Sequence, residues 1–190
     1  MTLEDYIKVC KKYEGGLSKD KVDKASKYPC PTPFKGVSGY HTNKGITYTS
    51  WKRKFGTGDD NRFFEMNDDD WFTIFDEMYF SKVRGHEYKS LNIAAIVTGF
   101  AWGSGIKQAG ITLQTALRNL GFAVAIDGAI GPKTIEAANQ ANNIILFDEL
   151  MKLRIEFFKR IGAPGLPNNK FLKGWLNRAE AYKKEFRPKK

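Results

Sequence analysis

Two histidines, His41 and His86, and two cysteines, Cys10 and Cys30, are all that 190 residues offer toward soft-metal or thiol chemistry. Histidines that far apart do not make the close ligand set of a zinc site, so neither a metal nor a cofactor is expected. Cys10 falls on the apolar face of the first helical stretch and Cys30 in a proline-rich loop. Without a sign of export, two free thiols are the expectation. Long apolar runs are missing as well. The longest, LNIAAIVTGFAW at Leu91–Trp102, is too short for a bilayer, so stable membrane insertion is not expected. The opening MTLEDYIKVCKKYE lacks the charged, then apolar, then small-residue order of a signal peptide. Synthesis in the cytoplasm without a leader is the expectation, with any action outside depending on another export route. Strand signals are weak and confined to the loop before Trp51 and to FAVAI at Phe122–Ile126, and no internal repeat is visible.

What is present begins with core-forming material. Hydrophobic residues make up 42% and aromatics 14% of the chain, enough for one sizeable domain or a domain with a small appended lobe. The net charge of +10 suits nucleic acid, an anionic membrane or an acidic polymer such as a bacterial wall; a merely solvated basic surface is the plain alternative. Nothing matches a nucleic-acid motif, so nucleic acid is not the expected partner. Helical signals dominate. Asp68–Asp70 start a helix with Trp71, Phe72, Phe75, Met78 and Tyr79 on one side. Ser90 caps a segment apolar nearly all round, as in a buried central helix. Leu113, Leu117 and Leu120 mark a helix closed by Gly121; Asp127-Gly128 marks a tight turn, with Pro132 in the next helix's first turn. Two more helices are expected near 143–161 and 169–186. The fold class is mainly α, with a long irregular loop from Leu17 to about Tyr48 and at most a small β-hairpin.

The chemistry concentrates in YEGGLSKDKVD, residues 13–23. Glu14 shares a helical face with Leu3, Ile7 and Cys10, at a helix end marked by Gly15 and Gly16. Burial and the negative end of the helix dipole both raise a carboxyl pKa. A carboxylic acid kept protonated near neutral pH is what a general acid needs to protonate a leaving oxygen. The glycines leave room for a bulky substrate. Glycoside hydrolysis usually takes a second carboxylate, and Asp20 and Asp23 follow closely, although SKDKVDK is also an ordinary polar loop.

YEGGLSKDKVD, YHTNKGITYTSW, FAWGSG, DGAIGPKT and FLKGWLNR, in that order, resemble the glycoside hydrolase family 108 lysozymes. These are N-acetylmuramidases often labelled secretion activator proteins, with a C-terminal predicted peptidoglycan-binding domain. The resemblance runs from about Leu3 to Phe186. It implies a lysozyme-like helical domain, a catalytic region over 1–90, and a wall-binding helical region over 91–186 packed against it. It implies cleavage of the β-1,4 bond between N-acetylmuramic acid and N-acetylglucosamine, with Glu14 as the catalytic acid. Asp20 and Asp23 match the family's aspartates, Thr42 its first threonine, and Gly45-Ile46-Thr47 its Gly-Ile-Thr element. A further similarity to phage-type lysozymes implies that Asp23 is the base and Thr42 holds the attacking water. The implied partner is peptidoglycan, reached at the periplasm or wall after release through a holin or another export partner.

This chain departs from the family pattern in places. KASKYPCPTPFKGVSGYH lengthens the usual link between aspartate and threonine, and Gly99 and Gly103 stand where the family carries aspartate and asparagine. A catalytically silent peptidoglycan-binding protein is therefore the alternative reading. Among the aromatics, Trp102, Tyr40 and Trp51 can stack on sugar faces or pack in the core. Trp102, following the central helix among glycines, is the best groove candidate. Tyr40, His41 beside Thr42, and Asp20 complete the expected substrate contacts. Trp175 shares helical spacing with Phe171, Leu172 and Ala179 and reads as core. DGAIGPKT reads equally as a wall-binding turn signature and as a well-formed turn.

Overall fold

The computed structural model describes residues 7–8, 30–34, 37–39, 42–56 and 60–189. The chain divides into two compact units, one within Ile7–Met78 and one formed by Tyr79–Lys190. Helices dominate both, in a mainly α, lysozyme-like fold.

In the first unit, the stretch read as irregular carries two short antiparallel pairs. Strand β1 (Cys30–Phe34) pairs with β2 (Val37–Gly39), with an irregular register between Cys30↔Gly39 and Phe34↔Val37. Pro31 and Pro33 carry no N–H, which a strand with a single neighbour tolerates. Strand β3 (Thr42–Asn43) pairs with β4 (Ile46–Thr47). Helix α1 (Tyr48–Phe55) follows directly; it carries Lys52, Arg53 and Lys54 in its last turn, where the dipole favours cations, and ends at Gly56 with φ 80°. Helices α2 (Asp60–Phe64) and α3 (Asp68–Phe75) complete the unit. Asn67 caps α3 by accepting from the Asp70 amide at 2.8 Å, and Asp68–Asp70 fill its first turn. Its core is aromatic. The ring of Trp51 lies 4.4 Å from Phe55 and 5.7 Å from Phe63, and Trp71 stacks on Phe75 at 5.0 Å. Trp51 is thus a core residue, not a sugar platform. Phe72, expected on the buried side of α3, is 37% exposed, because the buried stripe of this helix runs through Asp70, Trp71, Ile74 and Phe75 and Phe72 lies at its margin.

The second unit is built around α4 (Leu91–Ser104), the helix expected to be apolar all round. Ser90 caps it by accepting from the Ile93 amide. Helices α5 (Ile106–Asn119), α7 (Asn143–Ile161) and α8 (Asn169–Phe186) pack on it, while α6 (Pro132–Gln140) leans on α5. Arg154 of α7, only 2% exposed, enters this core. Its guanidinium donates to the Gly99 carbonyl at 3.2 Å and lies 5.1–5.5 Å from the rings of Tyr182, Phe100 and Phe158. Phe122–Ile126 forms no strand: Val124 is buried, Ile126 is 48% exposed, and no described residue pairs with the segment in a ladder. Trp175 is half-buried rather than core. It stacks on Phe158 of α7 at 5.3 Å, and Phe171 on its other side is 48% exposed.

Candidate active site

The hairpin Thr42–Thr47 holds one expected site residue on a firmly anchored frame. Its two-residue loop, Lys44-Gly45, has φ of 47° and 78°. Two consecutive positive φ values define a type I′ turn, whose twist suits a tight hairpin and whose second position favours glycine. Four contacts pin it. The buried Asn43 amide donates to the carbonyls of Phe63 and Phe64 at 2.8 and 3.1 Å. The Lys44 ammonium donates to the Met66 carbonyl at 2.6 Å, and the Lys44 carbonyl accepts from the Trp71 indole at 3.0 Å. Ile46 is buried. Thr47 then caps α1 by accepting from the Ser50 amide at 3.2 Å. Gly45 thus makes the bend, Ile46 anchors it in the core, and Thr47 starts the next helix. Half-buried Thr42 faces Thr47 across the pair. Glu14, Asp20, Asp23, Tyr40 and His41 lie outside the described residues. Asn43 and Lys44 are the supporting residues that sequence reasoning missed; the Asn-Lys-Gly run was the available signal for a turn.

Trp102 stands in the last turn of α4, half-exposed. Its ring packs on Tyr79 at 4.6 Å and 45°. Tyr79, also half-exposed, comes from the π turn, which re-aims side chains that a continuing α-helix would have sent elsewhere. Among the described residues, a Cβ added at Gly103, next to Trp102, would meet nothing within 4 Å. Two apposed, half-exposed aromatic rings suit the apolar face of a sugar. Tyr79 was not among the expected site residues; its contact with Trp102 joins elements distant in sequence.

In DGAIGPKT the residues are absorbed by local structure. Gln114 of α5, 1% exposed, clamps the turn. Its side-chain carbonyl accepts from the amides of Asp127 and Gly128 at 3.0 and 2.7 Å. Its amide donates to the Asp127 carboxylate at 2.8 Å and to the Ala129 carbonyl at 3.0 Å. Asp127 in turn accepts from the Ala129 amide at 2.8 Å. That amide bond first, and the Gln114 bond next, hold the Asp127 carboxyl below its ordinary pKa. Gly110 allows the close approach: a Cβ there would sit 2.2 Å from the Gly128 carbonyl oxygen. Pro132 occupies the first turn of α6, where its missing N–H costs nothing.

A lysozyme-like helical fold with an anchored Gly-Ile-Thr hairpin and a second helical unit agrees with the family resemblance seen in the sequence. The chain belongs to the glycosyl hydrolase 108 family, whose model matches residues 7–105. Residues 108–180 match the model described as a predicted peptidoglycan domain. Together the two matches make this a peptidoglycan-related member of a hydrolase family. Among solved structures, that of Brucella abortus SagA is similar, with 23% identity and a TM-score of 0.71 over 99% of this chain and 98% of that one. This likeness bears on the fold. No curated protein sequence gives a significant match.

Proposed function

We propose that this protein is an N-acetylmuramidase that cleaves the β-1,4 bond between N-acetylmuramic acid and N-acetylglucosamine. The observation that carries the reading is the family match over 7–105, which spans both the Glu14-Gly15-Gly16 and the Gly45-Ile46-Thr47 elements, followed at once by the peptidoglycan match. In this reading Glu14 is the general acid, Asp23 activates the water, and Thr42 positions that water from its hairpin. Asp20, Tyr40, His41 and Trp102 contact substrate, with Tyr79 backing the Trp102 ring. Catalysis resides in 1–90 and wall binding in 91–186. The enzyme acts on the wall after release from the cytoplasm through a holin or another export partner. Glu14→Gln keeps the side chain's shape but cannot donate the proton. General acid catalysis is typically worth ~10²–10⁴-fold, so this variant should fold normally and lose nearly all release of sugar fragments from purified wall. Mass spectrometry of those fragments identifies the bond cleaved. A folded Glu14→Gln protein that keeps the wild-type rate removes the proposal, and wall binding without any release by the wild type favours the silent-binder alternative.

A further inference from the structure

Helices α7 and α8 leave a groove of about 550 Å³ between them. Ile155, half-buried, gives it an apolar wall, with Met151 buried beneath it. Along α7 its wall runs from Asp148 to Lys159. Eleven helical steps of about 1.5 Å make that wall ~16 Å long, the span of four to five residues of extended peptide at roughly 3.3–3.6 Å each. Charges of both signs surround the groove. Arg187, just beyond α8, is committed: it grips Asp148 through two hydrogen bonds of 2.8 and 2.7 Å. Lys159 and Lys183, by contrast, form no salt bridge with any described residue, and neither does Glu156. Two ammonium groups and one carboxylate outside these salt bridges therefore border a groove of short-peptide length beside Ile155, with Lys183 near enough to Asp148 to help lower that carboxyl's pKa.

We propose that this groove binds the peptide stem of peptidoglycan. Such stems are short, carry small apolar side chains and more than one carboxylate, and where the third residue is a diamino acid they also present an ammonium. Lys159 and Lys183 would take the carboxylates and Glu156 the ammonium, with an alanine methyl on Ile155. A phosphate polymer of the wall would leave Glu156 opposed to like charge and Ile155 unused. The inference deepens the wall-binding half of the proposed function and rests on it.

The test titrates the full ¹⁵N-labelled chain with sugar-free stem tetrapeptide, the same peptide with its carboxylates amidated, and polyglycerol phosphate. The stem peptide should shift the amide signals of Ile155, Lys159 and Lys183. The double variant Lys159→Glu/Lys183→Glu, checked for unchanged helix content, should bind it roughly tenfold more weakly, since each exposed pair contributes a few-fold. No shift with the stem peptide, an equal response to the amidated peptide, or binding of polyglycerol phosphate alone would each overturn the assignment. Sugar release from purified wall, measured in parallel, separates the two claims. Release without stem binding removes the groove assignment and leaves the enzyme; stem binding without release supports the groove and removes the proposed catalysis.

Discussion

Replacing Gln114 by leucine takes out one side chain that holds the Asp127–Ala129 turn against α5. The leucine fills a similar volume but can make none of the bonds to the Asp127 and Gly128 amides or the Ala129 carbonyl. Each neutral bond of this kind contributes about 1 kcal/mol, and a buried amide left without an acceptor costs about 1–3 kcal/mol. The Gly128 amide is such a group. The Asp127 carboxylate is solvated and adds nothing to this sum. The expected loss is about 3 kcal/mol, a large part of the ~5–15 kcal/mol that holds a domain together. With a urea dependence of about 2 kcal/mol per molar, the unfolding midpoint of the unit should fall by about 1.5 M. Far-UV circular dichroism reads the helices of this unit, and exchange of the Gly128 amide reports the turn itself. Gln114→Glu sharpens the test, because it sets a second carboxylate beside Asp127 and should recover part of the loss as the pH is lowered toward about 4. A Gln114→Leu midpoint within about 0.3 M of wild type, with the Gly128 amide still protected, would refute the clamp.

Further expectations concern the hairpin, the second carboxylate and pH. Asn43→Leu leaves the Phe63 and Phe64 carbonyls without their donor and should cost about 2 kcal/mol, read as a lowered melting temperature; an unchanged one would remove Asn43 as an anchor. Asp23→Asn should slow sugar release more than Asp20→Asn, and with a single-water, inverting mechanism the first product is the α-anomer by NMR of the fresh reducing end. A β-anomer or an anhydro sugar would defeat that mechanism, and a harmless Asp23→Asn beside a dead Asp20→Asn would reverse the assignment. The Asp148 carboxyl is held below its ordinary value of 3.8, first by the Arg187 hydrogen bond. A depressed carboxyl contributes stability that is present above the unfolded pKa and lost as pH falls through the folded one. The stability gap between wild type and Arg187→Gln should therefore be constant above about pH 5 and close below about pH 4. A gap that persists at about pH 2 would mean that Arg187 acts by packing alone.

Much of this protein was legible as a string because its signals are local. Ser90 before an all-apolar run, Leu113, Leu117 and Gly121, Asp127-Gly128, and Pro132 in a first turn each specify backbone geometry within a few residues, and the helices at 143–161 and 169–186 fall where their patterns end. Family membership was legible for a related reason: motif order along the chain survives whatever the packing does. Other features depended on partners distant in sequence. Whether Trp51 meets Phe63 or solvent, and whether Trp175 is covered on both faces, depends on which helix end lies opposite. The Tyr79–Trp102 pair joins a residue of the π turn to the last turn of α4, a contact across 23 residues that a 3.6-residue pattern does not report. Gln114 could not be recognised as the clamp of a turn thirteen residues away until Gly110 let the two backbones touch. Periodicity reports which residues avoid water; which groups they meet there is set by tertiary packing, because each buried donor and acceptor must find a partner wherever the fold brings one.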